Sequence, residues 1–228
     1  VDTWCPNFSG FAAPELRYEM KKLGDLGSKF WWYGCMVPHY PYPSYHIDEP
    51  LLSARLEGIL RYRYGARGNL YWAVNMHTKY NGESKAYEEV DPYEETMSWE
   101  NANGDGVLVY NGERFGYRGL LPSLRLAAIC EGNQDYEYCL LLENAIEKLN
   151  KKYKARIDPV DYLRPVWDKI HYGTICLAGG YDFASIRREL ADSIVAAERG
   201  IMADIAEVDA KTQTARINVY SPANCSIS

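Results

Sequence analysis

Residues 29–35 read Lys-Phe-Trp-Trp-Tyr-Gly-Cys. This aromatic run has no polar alternation, which is typical of a strand buried on both faces of a parallel sheet. Because successive side chains of a strand point to opposite faces, Trp31 and Trp32 must lie on different sides, and at least one of them should be core. The stretch therefore predicts a core strand of a parallel sheet.

Helices and strands alternate on both sides of this stretch. A short β-prone segment, Val1–Cys5, precedes it, followed by an amphipathic helix over 14–23 with Pro14 in its first turn. A second helix from Leu51 to about Gly65 and a strand over 68–75 follow it. The order β–α–β–α–β predicts parallel strands with right-handed crossovers, and hence an α/β layer or barrel.

The rest of the chain predicts one long loop, two helices and a hairpin. Residues 77–106 are polar and rich in turn signals, so they predict a long functional loop ahead of a short strand over 107–110. A long helix should run from about 122 to 153, and Asp182 is placed to cap another. Alternation around a polar turn in 204–220 predicts a β-hairpin.

The composition excludes several classes of protein. The 228 residues carry 25 Lys+Arg against 31 Asp+Glu, a net charge of −6 without a basic block, so we expect no nucleic-acid partner. No apolar run reaches the ~18–20 residues of a membrane helix.

Aromatic residues make up 14% of the chain, with 20 Tyr and 6 Trp. Their flat apolar faces and polar edges suit sugar rings, peptide surfaces and ordinary cores.

A series of motifs recurs in the order in which one known family carries them. They are Trp31-Trp32-Tyr33-Gly34-Cys35, Ile47-Asp48-Glu49-Pro50, Arg55, Tyr64-Gly65, Gly68–Trp72, Gly104–Tyr110, Pro122–Leu126 and Asp135–Tyr138. In this order they resemble the C-terminal part of the domain of unknown function 4091, which is similar to the catalytic domain of glycoside hydrolase family 123, the β-N-acetylgalactosaminidases. The resemblance covers about residues 1–150 and, weakly, the helix after Asp182.

This resemblance implies an α/β fold, the C-terminal part of a TIM-type (β/α)8 barrel with a small β tail. The last barrel strands would be Val1–Cys5, Phe30–Cys35 and Leu70–Asn75. A complete barrel takes about 250 residues, so we expect the N-terminal half to lie outside this chain. Residues 1–200 would form the half barrel with trailing helices, and 201–228 a hairpin belonging to a β-sandwich-like unit.

The resemblance also implies an activity. Family members hydrolyse N-acetylhexosamine glycosides by substrate-assisted catalysis, in which an Asp orients the acetamide and an adjacent Glu protonates the leaving oxygen. That pair would lie upstream of this chain, so the chain alone is expected to be inactive. Its partners would be carbohydrate and the missing half or a second chain. The alternative is a non-catalytic carbohydrate-binding or structural module. The resemblance implies a secreted or periplasmic protein, which the six cysteines allow.

Four residues near the carboxyl ends of the predicted strands are candidate sugar contacts: Trp4, Tyr33, Trp72 and Asn75. Barrel enzymes build their sites at this edge, where aromatic faces can stack on a sugar and an amide can bind a hydroxyl. For each aromatic, a role in the core is the alternative. Asp48 and Glu49 form an acidic pair and are weaker, catalytic candidates. Carboxylates that favour the start of the following helix are the preferred explanation for that pair.

For the remaining polar residues we expect structural roles rather than catalytic or binding roles. Asp105 in Gly-Asp-Gly is expected to be a turn residue, with a loop that closes over the sugar as the alternative. A second set is expected to form a solvated helix face, namely Arg125, Glu131, Asp135 and Glu137. The histidines, at 39, 46, 77 and 171, are scattered without an HExxH or paired spacing, so neither a metal site nor a cofactor is predicted.

Overall fold

The computed structural model of the chain describes residues 2–99, 101–176, 182–209, 211–212 and 214–222. It shows a mixed α/β protein that divides into two compact units, residues 1–136 with 170–179, and residues 137–169 with 180–228. The domain boundary expected near residue 200 stays a prediction.

The first unit contains a sheet of three parallel strands in the order β1 (Thr3–Trp4), β2 (Lys29–Gly34) and β3 (Gly68–Tyr71). A 3-10 turn (Phe8–Ala12) and helix α1 (Pro14–Asp25) connect β1 to β2, and helix α2 (Leu51–Tyr64) connects β2 to β3. The order β–α–β–α–β with parallel pairing confirms the expectation from the sequence.

Local chemistry sets the ends of these helices. Pro14 begins α1, where its fixed φ suits a helix and its missing amide hydrogen is no loss. Gly65 ends α2 with φ of +73°, and its amide donates to the carbonyls of Arg61 and Tyr62. Both boundaries follow directly from the positions of Pro and Gly in the sequence.

The two faces of the sheet differ in burial. Phe30 and Trp32 are buried on one face, where Trp32 packs edge-on against Phe8 at 4.6 Å between ring centroids. On the other face Trp31 is 41% exposed and Leu70 43% exposed. The prediction that β2 is buried on both faces is therefore wrong for this chain. One face of the sheet, which we call the open face, carries exposed apolar side chains at Trp31 and Leu70.

The long helix α3 (Leu124–Tyr153) crosses α2 in the first unit at very short range. A Cβ on Gly58 would lie 1.9 Å from the carbonyl oxygen of Gly132, so only glycine permits this approach. Beside the crossing, Arg55 makes a two-pronged ion pair with Asp135, at 2.7 Å for Nε to Oδ2 and 3.2 Å for Nη2 to Oδ1.

Of the four residues expected to form a solvated face of this helix, only some are exposed. Asp135 and Arg125 are buried, whereas Glu131 is half-buried and Glu137 is exposed. The expectation is wrong for the two buried residues, because their partners come from distant parts of the chain.

Three short antiparallel hairpins fill the segment between β3 and α3. They are β4 (Thr78–Asn81) with β5 (Ala86–Glu89), β6 (Met97–Trp99) with β7 (Ala102–Asn103), and β8 (Val109–Asn111) with β9 (Leu120–Pro122), the last pair enclosing a 3-10 turn at Glu113–Phe115. The prediction of one long loop over 77–106 is wrong. Short polar strands in this segment pair as the hairpins β4–β5 and β6–β7. The third parallel strand ends at Tyr71, and Asn75 makes an isolated bridge to Val107.

The remaining elements follow α3 in chain order. They are α4 (Pro159–Tyr162), α5 (Arg164–Trp167), the β10 (His171–Tyr172) and β11 (Ile175–Cys176) hairpin of the first unit, α6 (Phe183–Glu198), and the antiparallel pair β12 (Met202–Asp209) and β13 (Thr214–Tyr220). Asp182 accepts a hydrogen bond from the Ser185 amide, which confirms the predicted cap, and the β12–β13 pair confirms the predicted hairpin. Within the described ranges, no helix is both long and apolar enough to cross a membrane.

Candidate functional site

Trp72 stands directly after β3 with its ring held in one orientation. Its Nε1 donates to Oδ2 of Asp105 at 3.0 Å, and the Tyr71 hydroxyl donates to Oδ1 of the same carboxylate at 2.7 Å. The Gly106 amide donates to the Tyr71 oxygen at 2.8 Å. Asp105 is 1% exposed, whereas Trp72 is 37% exposed. A buried carboxylate thus fixes the polar edge of an indole whose face remains partly open.

The Gly104-Asp105-Gly106 turn also supports this indole sterically. Both glycines have φ of +74°, and a Cβ on Gly106 would lie 2.6 Å from Cζ2 of Trp72. The turn expected at Asp105 is confirmed. The positive φ favours glycine at both positions, and the close approach of the Trp72 ring also requires it at Gly106.

Arg125 ties this turn to the rest of the first unit. Its guanidinium donates to the backbone oxygens of Gly104 (2.8 Å), Tyr45 and Val107, and to the Tyr110 hydroxyl at 3.1 Å. The sequence analysis missed this role, because helical spacing alone suggested a surface position. The signal that could have revealed it is the recurrence of Arg125 in the same motif series as the turn.

Burial and the neighbouring carboxylate keep Tyr71 protonated. Desolvation, followed by the charge of Asp105 and the hydrogen bond to it, raises the pKa of the Tyr71 hydroxyl well above its ordinary value. Tyr71 therefore remains a hydrogen-bond donor to Asp105 at neutral pH.

A second tryptophan lies beside Trp72. The Trp99 ring meets it edge to face at 6.3 Å between centroids, and it is also partly exposed. Trp99 was not among the predicted contacts, since a polar stretch surrounds it in the sequence. The two indoles, which we call the Trp72–Trp99 pair, present adjacent aromatic surfaces that suit the apolar face of a sugar ring.

The other predicted contacts occupy different places. Tyr33 is half-buried and, by strand alternation, lies on the open face with Trp31. Trp4 is in register with Phe30, so it lies on the opposite, helix-covered face, where it is partly exposed at the edge strand. The structure thus places these two aromatics on different sides of the sheet.

Asn75 lines a cleft of about 620 Å³ formed largely by the hairpins that follow β3. Arg114 borders the same cleft, where it pairs with Asp91 at 3.2 Å and lies 5.3 Å from the centroid of the Tyr93 ring. The Tyr93 hydroxyl donates to the carbonyl of Asn111. Amide, carboxylate, guanidinium and aromatic groups therefore share a cleft that offers the mixed contacts sugars require.

Asp48 and Glu49 make separate contacts rather than a joint site. Oδ1 of Asp48 accepts from Nδ2 of Asn103 at 2.9 Å, and Asp48 is exposed. Glu49 accepts from the Tyr40 amide at 3.0 Å and from the Ser44 hydroxyl. Helix α2 has Pro50 as its N-cap and, among the described residues, no side-chain cap. The capping part of the preferred explanation is therefore wrong, whereas the expectation that these carboxylates favour the helix dipole stays a prediction.

Two histidines that the sequence analysis treated as scattered meet at Glu49. Nδ1 of His46 lies 3.2 Å from Oε1 of Glu49, and Nδ1 of His39 lies 3.6 Å from the same oxygen. Burial by itself raises the pKa of Glu49, but hydrogen bonds from His46, Ser44 and the Tyr40 amide outweigh it and leave the pKa below its ordinary value. The spacing His-x6-His-x2-Glu within one Pro-rich loop is the signal that could have found this cluster.

The other two histidines lie elsewhere in the first unit. The His77 ring contacts the carbonyl oxygen of Val109 at 3.0 Å. His171 is buried against Arg63, and desolvation together with that positive charge lowers the pKa of His171 to about 3. Cys5, Cys35 and Cys130 are free thiols, and Cys139 is buried. The side chains of Cys176 and Cys225 lie outside the described residues.

Comparison with known proteins adds two findings. Residues 9–142 match the family described as glycoside hydrolase 123, catalytic domain. The fold is similar to that of a family 123 glycoside hydrolase from Clostridium perfringens, solved for the details of glycolipid glycan hydrolysis, with a TM-score of 0.51 and 17% sequence identity. The match covers 88% of this chain and 31% of that one, so this chain spans about a third of the length of the solved protein. No curated protein matches the sequence.

Proposed function

The chain belongs to the glycoside hydrolase 123 catalytic-domain family, and from this premise we propose that it supplies sugar-contacting aromatics to a glycoside hydrolase. The substrates would be glycans that contain N-acetylhexosamine, and the catalytic Asp–Glu pair would come from outside this chain. The observation that carries the proposal is Trp72, whose indole is partly exposed while a buried carboxylate fixes its polar edge.

The open face of the sheet supports a partial barrel. In a complete (β/α)8 barrel the inner face of every strand packs into layers of side chains, while helices cover the outer face. Here α1 and α2 connect the parallel strands, Phe30 and Trp32 are buried, and Trp31 and Leu70 are exposed. We propose that further strands, from a longer chain or a second one, cover these exposed side chains.

The contacts of Asp48 and Glu49 support a catalytic pair located elsewhere. A general acid works best when its pKa lies near the operating pH, which for a carboxyl group means a raised pKa. The pKa of Glu49 is lowered instead, and its oxygens are engaged by His46, Ser44 and the Tyr40 amide. We therefore propose that the proton donor of the substrate-assisted reaction is neither of these two carboxylates.

The role of this chain in the reaction would be to position the sugar. The face of Trp72 would stack on the apolar face of a sugar ring, and Asp105 would keep that face from rotating away. A fixed ring lowers the entropy lost on binding and holds the glycosidic bond in place for carboxylates supplied by another segment. We also propose that the protein acts in the periplasm or outside the cell, as the resemblance implies.

Hydrolysis of an aryl β-N-acetylgalactosaminide by the full-length protein tests the aromatic contact. We expect Trp72→Ala to raise KM about tenfold, since a lost stacking contact costs about 1.4 kcal/mol. Tyr18→Ala is the matched control, because Tyr18 is an exposed aromatic on α1. An unchanged KM for Trp72→Ala, or an equal rise for both variants, would overturn the proposed contact.

A second variant tests where the catalytic pair lies. We expect Asp48→Asn to leave kcat for the same substrate unchanged, because Asp48 binds Asn103. If kcat falls by orders of magnitude while the fold is retained, the acidic pair of this chain is catalytic. If the full-length protein binds N-acetylhexosamines with quenching of Trp fluorescence but hydrolyses none, it is a carbohydrate-binding module instead.

A further inference from the structure

We propose that His39, His46 and Glu49 form a binding site for a divalent transition-metal ion of the Zn²⁺ class. The three side chains belong to the loop between β2 and α2, and their potential ligand atoms all lie within 4.8 Å of one another. The site is independent of the proposed sugar contacts, which lie at other residues.

The distances fit tetrahedral coordination. Two ligand atoms on a tetrahedral Zn²⁺ at about 2.0–2.1 Å are separated by about 3.3 Å. Nδ1 of His46 and Nδ1 of His39 lie 3.2 Å and 3.6 Å from Oε1 of Glu49. The two imidazole rings lie 4.9 Å apart between centroids. The ligand atoms of the two histidines lie within 4.8 Å of each other, so rotation of the more exposed His39 ring would have to complete the coordination.

The orientation of the His46 ring suits a metal ligand. Its Nε2 lies 3.1 Å from the carbonyl oxygen of Cys35, and because a carbonyl can only accept, Nε2 must carry the proton. Nδ1 is the nitrogen that faces Glu49, and a bound ion would take the place of the proton that Nδ1 shares with this carboxylate. Metal-bound histidines commonly donate their other N–H to a backbone carbonyl in this way, which fixes both the tautomer and the ring.

Glu49 is also held in place before any ion arrives. The Tyr40 amide donates to Oε1 at 3.0 Å, and the Ser44 hydroxyl donates to Oε2. The side chains of His46 and Glu49 are 2% and 7% exposed, whereas that of His39 is 46% exposed. The site thus has a buried, fixed half and an open side, through which an ion can enter and on which water can complete the coordination.

The donor set selects the kind of ion. Two imidazoles and one carboxylate suit Zn²⁺, Co²⁺, Ni²⁺ or Cu²⁺, whereas Ca²⁺ and Mg²⁺ require mostly oxygen ligands. A simple His–Glu hydrogen bond would need only His46. The approach of His39 to the same carboxylate oxygen is what distinguishes a metal site from such a pair.

A bound ion would stiffen the loop at the carboxyl end of β2. His39 and Glu49 lie ten positions apart in this loop, and His46 is bonded to the backbone of Cys35, directly after the strand. One ion would therefore fasten both ends of the loop to the end of β2. We expect it to order this segment, rather than to take part in glycoside hydrolysis.

Titration of tag-free protein with Zn²⁺ and Co²⁺ tests the site. We expect one ion per chain by calorimetry, and visible absorption typical of tetrahedral Co²⁺. Glu49→Gln and His39→Ala should each weaken Zn²⁺ binding by at least about tenfold, since even outer-shell changes commonly cost 10–100-fold. His77→Ala is the matched control, because it removes an imidazole that bonds Val109 instead, and it should not change the affinity.

Three results would overturn the proposal: no stoichiometric binding, binding that survives both variants, or an equal loss in the His77 control. His39 is half exposed, so His39→Ala should fold, and circular dichroism of each variant verifies this. Saturating Zn²⁺ should also raise the Tm of the unaltered protein but not that of His39→Ala, because only the folded state with its ligands binds the ion.

Discussion

Trp31 and Trp32 are neighbours on β2 and lie on opposite faces of the parallel sheet, so their burial allows the two faces to be compared. Trp32 is 0% exposed and packs against Phe8 and Phe11, whereas Trp31, one residue earlier, is 41% exposed. Their side chains are chemically identical and their strand is the same. The difference shows that burial depends on what covers each face.

The largest expected effect lies on the covered face. Trp32→Ala should lower the free energy of unfolding by about 3–5 kcal/mol, because it leaves a cavity among fully buried aromatics. Urea denaturation followed by circular dichroism measures this loss. A cost below about 1 kcal/mol would mean that the covered face is not the core.

Glu57, a buried residue of α2, makes the stability of the protein depend on pH. Burial raises the pKa of Glu57 from 4.5 to about 8, opposed by the charge of Arg61, while Asn69 donates to its Oε2. The folded protein thus keeps a proton that the unfolded chain loses, so the contribution of Glu57 to stability is fully present below about pH 4.5 and is lost as pH rises through about 8.

Glu57→Gln should abolish this decline, which we expect to be on the order of a few kcal/mol, because glutamine keeps the acceptor and cannot ionise. Urea denaturation of both proteins at a series of pH values between 4.5 and 9 measures it. An identical pH profile for the variant and the unaltered protein would contradict the assignment of the slope to Glu57.

A smaller effect is expected where the indole of Trp72 is anchored. Asp105→Asn can accept from Tyr71 or from Trp72 but not from both, so we expect a loss of about 1–3 kcal/mol in stability. The freed ring should also show lower fluorescence anisotropy. Asp91→Asn, which alters an exposed ion pair with Arg114, is the control and should change neither quantity by much.

The smallest effect on stability is expected for a substitution on the open face. It tests most directly whether the two faces of the sheet differ in what covers them. Trp31→Ser should cost this chain less than about 1 kcal/mol, because the ring is largely exposed. In a full-length protein whose other strands cover this face, the same change should cost several times more. An equal, small cost in both proteins would argue against a partial barrel.

Local patterns predicted the elements of the parallel sheet correctly. Pro14 marks the start of α1, and Gly65 the end of α2. The aromatic run of β2 indicates a strand, and the order of strands and helices indicates parallel pairing. These features depend on backbone preferences and hydrophobic pattern within a few residues, which a sequence displays directly.

The candidate site was predicted less completely. Trp72 was proposed from its place near the carboxyl end of a predicted strand. Asp105, which holds its ring, and Arg125, which holds the turn, lie 33 and 53 residues further along the chain, and spacing alone assigned them to a turn and a surface. The meeting of His39, His46 and Glu49 was missed, because an irregular loop has no period from which to infer contacts. The hairpins within 77–106 were missed because their strands are short and polar.

The sequence by itself determined the secondary structure of the parallel sheet and, through its ordered motifs, the family. Tertiary structure alone decided which tryptophan is buried, which carboxylate holds Trp72 and which histidines meet Glu49. The physical reason is that backbone preference acts between neighbours in the chain, whereas burial and hydrogen bonding act between neighbours in space.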